Sequence, residues 1–247
     1  MNNPFSNCLT IGTLFFVLSV PAVLAQGKTG KTNTATTKLE KNKPLPISKE
    51  ARTALKEAGA VAAKSKGLKG KPRNSALIAG AKAYEAVAAR FGREAGACGK
   101  AWFAAAELWR RSRSLEAAAK AYGLAADRDP GRFQERSWLQ LAHIERKQKH
   151  MGLALELYKK VARLKSGTQR THQARVWIAR CFEEQKKPKQ AIDAYRQALS
   201  LTRQPRRVLE ICNRLALCLV RQGKLDQAAA AYELFDTQTT GKGVFLL

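Results

Sequence analysis

Residues 99–132 read GKAWFAAAELWRRSRSLEAAAKAYGLAADRDPGR, and this stretch decides the fold. Apolar side chains recur every three or four residues up to Trp109 and again from Leu115, while polar residues 112–114 interrupt the pattern. Such spacing places the apolar side chains on one face of a helix. The stretch therefore predicts two amphipathic helices joined by a short turn.

The same two-helix pattern recurs along the chain. Five tyrosines lie at intervals of 36 to 38 residues in similar local sequences: Tyr84, Tyr122, Tyr158, Tyr195 and Tyr232. Before each of the last four, an earlier apolar stripe carries a small residue at a fixed place: Ala106, Ala142, Ala179 and Ala216. A small residue allows two helices to approach closely. Repetition at this period predicts a helical solenoid.

These motifs resemble the tetratricopeptide repeat family. Residues 99–132 match its pattern best, at Trp102, Ala105, Ala106, Trp109, Ala118, Tyr122, Ala125 and Pro130. Other units depart from it: Glu145 replaces an aromatic, Arg175 and Cys212 replace the opening aromatic, and Ser166, Arg203 and Thr240 replace the closing proline. The longer period is similar to that of repeat proteins in the bacterial cell envelope. The resemblance implies an all-α, right-handed α-solenoid of helix–turn–helix repeats.

We expect the chain to consist of eight segments, of which four are repeats. The first 25 residues carry no charged side chain and include the apolar run from Leu9 to Leu24, which predicts a signal peptide. The lack of a basic start leaves an uncleaved membrane anchor as the alternative. The predicted parts are a signal peptide or anchor (1–25), a disordered Lys/Thr-rich linker (26–49), N-terminal capping helices (50–98), four repeats (99–132, 135–168, 172–205, 209–240) and a tail (241–247). Tyr84 has no partner helix at the regular distance, because residues 67–70 (GLKG) fall there.

Basic residues greatly outnumber acidic ones. The chain has 45 Lys and Arg against 19 Asp and Glu, a formal net charge of +26 and a pI near 10.3. Residues 26–72 hold twelve Lys or Arg and three Glu, so this leader carries +9 and the repeats carry most of the rest. An excess of this size attracts polyanions.

Catalytic patterns are missing from the sequence. It has no HExxH, CxxC or GxSxG motif and no glycine-rich phosphate loop. His143, His150 and His172 are interpreted as surface residues. Cys98, Cys181, Cys212 and Cys218 are interpreted as small core residues, and Cys212 lies too far from Cys218 along one helix for a disulfide. We therefore predict no enzyme activity, cofactor, metal site or small-molecule substrate.

In the family, the first helix of each repeat lines a concave groove. The matching face here carries basic and apolar side chains: Lys100, Phe103, Arg110, Arg111, Arg136, Leu139, Arg146, Lys147, Val176, Trp177, Arg180, Arg214 and Arg221. We expect this groove to dock an extended acidic segment of a protein partner, with Trp177 and Phe103 as anchors. The plain alternative is a set of solvated surface charges.

Other partners stay open at this level. The 26–72 leader could bind anionic lipid or an acidic cell-wall polymer. Arginines interleaved with aromatic residues also suit nucleic acid, although an exported protein would not meet it. A third alternative is an accessory subunit of an envelope enzyme complex. The expected location is periplasmic or extracellular. Because nucleic acid is not expected there, we prefer a protein-binding scaffold to a nucleic-acid-binding protein.

Overall fold

A computed structural model describes residues 44–164, 167–202 and 204–240, and these residues are helical except for short connections. The helices are α1 (Lys49–Ala63), α2 (Gly70–Arg90), α3 (Ala95–Arg111), α4 (Leu115–Arg128), α5 (Glu135–Lys147), α6 (Met151–Arg163), α7 (Gln169–Glu184), α8 (Pro188–Ser200), α9 (Pro205–Val220) and α10 (Leu225–Thr240), with a π-helix at Pro130–Gln134. Each helix packs mainly on its neighbours in sequence. The predicted all-α solenoid is confirmed.

Buried tyrosines hold the centre of three of the helix pairs. Tyr122, Tyr158 and Tyr195 are fully buried on α4, α6 and α8, each among alanines of the same pair. Tyr232 on α10 occupies the equivalent place but is 45% exposed. The repeated tyrosine is therefore a core residue in these three pairs.

The turn inside each pair has one backbone shape. Its central residue adopts positive φ at Arg113 (66°), Lys149 (68°), Lys186 (57°) and Gly223 (71°). In the first turn, the amide of Ser114 donates to the carbonyl of Trp109 at 3.0 Å, and the same bond closes the other three. This is a Schellman termination, which satisfies carbonyls at the helix end.

The connection between α4 and α5 is shorter than the sequence predicts. A break is expected at residues 127–131, but α4 continues to Arg128 and the π-helix follows after Asp129 alone. The Asp129 carboxylate accepts from the amide of Arg132 at 3.2 Å and so starts the π-helix. A β-carbon on Gly99 would lie 2.7 Å from that of Asp129, so glycine permits this close approach.

The partner helix of Tyr84 is α1, which lies at the start of the predicted capping helices (50–98) and not at the regular distance. Helix α1 packs against α2 through Ala54, Leu55 and Ala58, and residues 64–69 form the connection. The contact is close at Gly80, where a β-carbon would lie 2.7 Å from the Cα of Ala62. The partner was displaced because this connection is longer than the turns of the later pairs.

Several further predictions concern buried cysteines and the leader. Cys98, Cys181, Cys212 and Cys218 are all buried and unbridged, which confirms their interpretation as core residues. The predicted signal peptide and most of the predicted linker lie outside the described residues. Among the helices that the structure describes, none combines the length and hydrophobicity needed to cross a bilayer.

Candidate functional site: an arginine row on the first helices

Tyrosine hydroxyls reach from the second helix of three pairs to a polar side chain on the first. Tyr122 donates to Glu107, and Tyr195 donates to Glu183. The hydroxyl of Tyr158 lies 2.5 Å from Nδ1 of His143. Burial raises the pKa of all three tyrosines, so each stays protonated and can donate, as Tyr122 and Tyr195 do to their carboxylates. These bonds fix the polar groups beside the candidate site.

One arginine on each first helix forms what we call the arginine row: Arg110 on α3, Arg146 on α5, Arg180 on α7 and Arg214 on α9. Their charges act on shared neighbours. Burial, followed by Arg146, Lys147, Arg180 and Arg110, lowers the pKa of His143 to about 4. The pKa of Arg180 is lowered by burial and then by Arg214. The four guanidinium groups therefore follow one another along a continuous surface.

Carboxylates of the same surface pair with three members of the row. Arg110 lies 2.8 Å from Glu107, and Arg146 lies 2.8 Å from Glu184. Arg214 lies 3.9 Å from Glu183 and 3.7 Å from Glu210. In the part of the chain that the structure describes, Arg180 forms no ion pair.

Trp177 lies at the centre of the row. The Cζ atoms of Arg180 and Arg146 lie 3.8 Å and 4.5 Å from the centroid of its ring. His143 meets the indole edge-on at 4.9 Å, and Tyr158 lies parallel to it at 6.0 Å. A guanidinium over an indole face is attracted by the ring quadrupole. Trp177 therefore orients the unpaired Arg180 without neutralising its charge.

Two guanidinium groups of the row keep unused donors. The Nε atoms of Arg146 and Arg214 are buried and have no hydrogen-bond partner among the described residues. A buried donor without an acceptor is costly, because it has lost its water and gained nothing in return. The unpaired charge of Arg180 lies between these two side chains along the chain of helices. The row thus offers an anion the unpaired charge of Arg180, whereas the two buried Nε atoms have no access to a ligand in this conformation.

The structure corrects part of the predicted groove. Leu139 is 3% exposed, and Phe103 and Val176 are each 9% exposed, so all three are core side chains. Phe103 stacks on Phe133 at 4.9 Å, and the guanidinium of Arg136 covers it at 4.5 Å. Phe103 therefore lacks the open surface that an anchor requires, whereas Trp177 is only partly buried.

The remaining predicted residues divide into two groups. Lys147 acts on His143, and Arg221 lies 3.6 Å from Glu183, so both border the row. Lys100 and Arg111 are exposed on α3, and no contact joins them to the row. The arrangement consists of basic, aromatic and carboxylate groups without a set that could bind a metal: among the described residues, no three His, Cys, Asp or Glu side chains converge.

Sequence reasoning missed three groups that shape this surface, namely Glu107, His143 and Glu183. His143 was interpreted as a surface residue, but its ring packs between Tyr158 and Trp177. A signal was present, because Glu107 and His143 each precede a repeated tyrosine by 15 residues. Glu183 precedes its tyrosine by 12 and breaks that register.

Comparison with known proteins bears on the family. Sequence models of the tetratricopeptide repeat match residues 139–207 and 209–235. No curated protein matches the sequence. Solved structures are similar in fold, and one of them, a Podosopora anserina protein, is described as having nearly identical TPR-like repeats. It is 13% identical with a TM-score of 0.52, and the match covers 76% of this chain and 94% of that one. The chain therefore contains tetratricopeptide repeats.

Two further solved structures share this fold. MamA from Desulfovibrio magneticus RS-1 is 12% identical with a TM-score of 0.52, over 81% of this chain and all of that one. BtubC from P. vanneervenii is 14% identical with a TM-score of 0.53, over 80% and 95%. Tetratricopeptide repeat proteins are generally non-enzymatic scaffolds for protein–protein interaction, and this places the chain in the class of interaction scaffolds.

Proposed function

We propose that this tetratricopeptide repeat protein is a scaffold of the cell envelope that docks an extended acidic segment of a partner on the arginine row. The observation that carries the proposal is Arg180, which lies on Trp177 without an ion pair. Arg146 on α5 and Arg214 on α9 flank it in the row and add positive charge. Carboxylates suit such groups because charge-assisted hydrogen bonds to guanidinium are strong and directional.

The repeat geometry favours an extended ligand. Packed helices lie about 8 to 10 Å apart, and α5 packs against α7 as well as against α6. An extended chain advances about 3.3 Å per residue. A carboxylate at every third position of such a segment would therefore advance at about the spacing of successive members of the row.

The positive charge also affects the rate at which the partner associates. A basic surface steers an acidic segment toward it and raises the association rate, while the paired contacts fix register and specificity. The formal charge of +26 supports this role. The apolar N-terminal run of the sequence supports placement in the envelope.

A labelled peptide tests the docking surface. We expect a fluorescein-labelled (Glu-Gly-Ser)5 peptide to bind the full chain at low salt, as measured by fluorescence anisotropy. Combined Arg146→Glu, Arg180→Glu and Arg214→Glu substitutions are expected to weaken binding at least tenfold. The matched control replaces Lys56, Lys120 and Lys189 with Glu, which changes the net charge equally at exposed sites outside the row. An equal loss in both variants would contradict the proposal.

Location needs its own experiment. Fractionation of cells, followed by N-terminal sequencing of the mature protein, is expected to find it in the envelope fraction with Gln26 first. An intact chain in the cytoplasm would overturn the envelope part of the proposal and favour nucleic acid as the partner.

A further inference from the structure

A second surface lies on the opposite side of α7 from the arginine row. Helices α6 and α8 flank a cavity of about 740 Å³ with α7 as its floor. Arg175, Ile178 and Phe182 line it from α7. With about 100° between successive residues of a helix, these three point away from Trp177 and Arg180. We call this surface the α6–α8 groove.

The groove follows from a departure in the repeat pattern. Arg175 stands where the earlier repeats have Trp102 and Trp138, and those rings pack into the apolar clusters of their units. A tryptophan side chain buries about 150 to 250 Å² of surface, whereas a guanidinium needs polar partners. Arg175 finds only weak ones: its NH groups lie 3.4 Å from the carbonyl of Ala162 and 3.4 Å from Nδ1 of His172.

The two ends of the groove differ in polarity. Short connections make α6, α7 and α8 antiparallel in turn, so the end of α6, the start of α7 and the end of α8 meet. Lys159, Arg163 and Arg175 line that end. Ile178, Ala194 and Phe182 continue toward the other end as a partly buried apolar surface. Asp193 is the one carboxylate among the residues that line the cavity, so the lining keeps a positive excess.

We propose that the α6–α8 groove binds a single-chain amphiphile with an anionic head group. The head group pairs with the Arg175 guanidinium, whose remaining donors bond to no described residue, and with the charges of Arg163 and of Lys159, which lies 2.9 Å from Glu156. The tail lies on Ile178, Ala194 and Phe182, where it removes apolar surface from water. A cationic end joined to an apolar trough matches this ligand in charge and in polarity along its length. The inference is independent of docking on the arginine row.

Titration with dodecanoate below its micelle concentration, followed by calorimetry, tests the site in the full chain. We expect saturable binding of about one molecule, together with far weaker binding of acetate and of dodecyltrimethylammonium. Because the protein is strongly basic, variants must separate this site from general attraction. Arg175→Trp restores the aromatic of the earlier repeats and is expected to weaken binding at least tenfold. Gln197→Glu adds a repelling charge at an exposed position of the groove wall and is expected to act likewise.

Two controls fix the interpretation. Lys120→Gln removes one positive charge outside the groove, and Arg180→Glu alters the arginine row; both are expected to change dodecanoate binding less than twofold. Absence of saturable binding would overturn the proposal. So would binding that Arg175→Trp and Gln197→Glu leave intact, and so would binding that Arg180→Glu abolishes.

Discussion

The hydroxyl of Tyr158 and Nδ1 of His143 share a hydrogen bond of 2.5 Å. Burial and four nearby basic side chains lower the pKa of His143 to about 4, so the ring is neutral near pH 7 and its Nδ1 can accept. The bond joins α6 to α5 next to Trp177. His143 therefore links the buried Tyr158 of this repeat to the candidate site.

Removing a buried tyrosine hydroxyl is expected to destabilise the protein. Tyr158→Phe, Tyr122→Phe and Tyr195→Phe each leave a partly buried acceptor without its donor, which costs about 1 to 2 kcal/mol of unfolding free energy. Tyr232→Phe is the matched control, because that side chain is 45% exposed. Urea denaturation measures all four. A loss for Tyr232→Phe as large as for the others would contradict this account.

Stability is expected to fall in acid through His143. Its pKa is about 4 in the fold and near 6.5 in the unfolded chain, so the unfolded state binds the extra proton between these values. The stabilisation is therefore complete above pH 6.5 and decreases as the pH falls toward 4. Because the ring keeps some solvent contact, the change is about 1 to 2 kcal/mol. Between pH 7 and pH 4, His143→Gln should lose less unfolding free energy than the wild type; parallel curves would refute the assignment.

Much of the fold follows from local sequence patterns. The repeated tyrosines and the alanines at Ala106, Ala142, Ala179 and Ala216 report contacts within one pair, and these contacts have a fixed spacing. The regular spacing does not locate the partner of Tyr84, because the connection between α1 and α2 is long. The extension of α4 depends on Gly99, which lies on a different helix and permits Asp129 to approach.

The candidate site was predictable only in its charges. Arg146, Arg180 and Arg214 follow from their positions on first helices. The burial of Phe103 could not be seen, because it depends on Phe133 in the unexpected π-helix. Besides Tyr195, Glu183 has partners in the following repeat, where Cys218 donates to it at 3.2 Å and Arg221 lies 3.6 Å away. Contacts between repeats have no fixed spacing that a single sequence reveals.

Glycine is expected to stabilise the turns within the helix pairs. Lys186 adopts φ 57° where the last turn has Gly223 at 71°. A side chain in this region is strained, whereas glycine adopts it freely. Lys186→Gly should raise the free energy of unfolding by about 0.5 to 1 kcal/mol, and Gly223→Ala should lower it by about 1 kcal/mol. Thermal unfolding compares the two variants. A destabilised Lys186→Gly protein or a stabilised Gly223→Ala protein would contradict this reason.

Two helical glycines should respond oppositely to alanine. Gly80→Ala places a methyl group 2.7 Å from the backbone of Ala62, so α1 and α2 must move apart, at a cost of about 1 to 3 kcal/mol. Gly123 on α4 has open space at its β-carbon, and Gly123→Ala should stabilise by about 0.5 to 1 kcal/mol through helix propensity. Denaturation of both variants checks the pair; a stabilised Gly80→Ala protein would contradict the close packing.

The carboxylates beside the arginine row have an effect on selectivity. Any acidic group that reaches Arg146 must displace Glu184, and one that reaches Arg214 must displace Glu183 or Glu210. Only Arg180 accepts a newcomer without exchange in the described part of the row. These glutamates compete with a ligand for the arginines. A single carboxylate therefore gains little binding free energy, whereas several carboxylates linked in one segment gain more together. Occupancy should therefore rise steeply with the number of acidic residues in a segment, and a bound segment can be released one contact at a time.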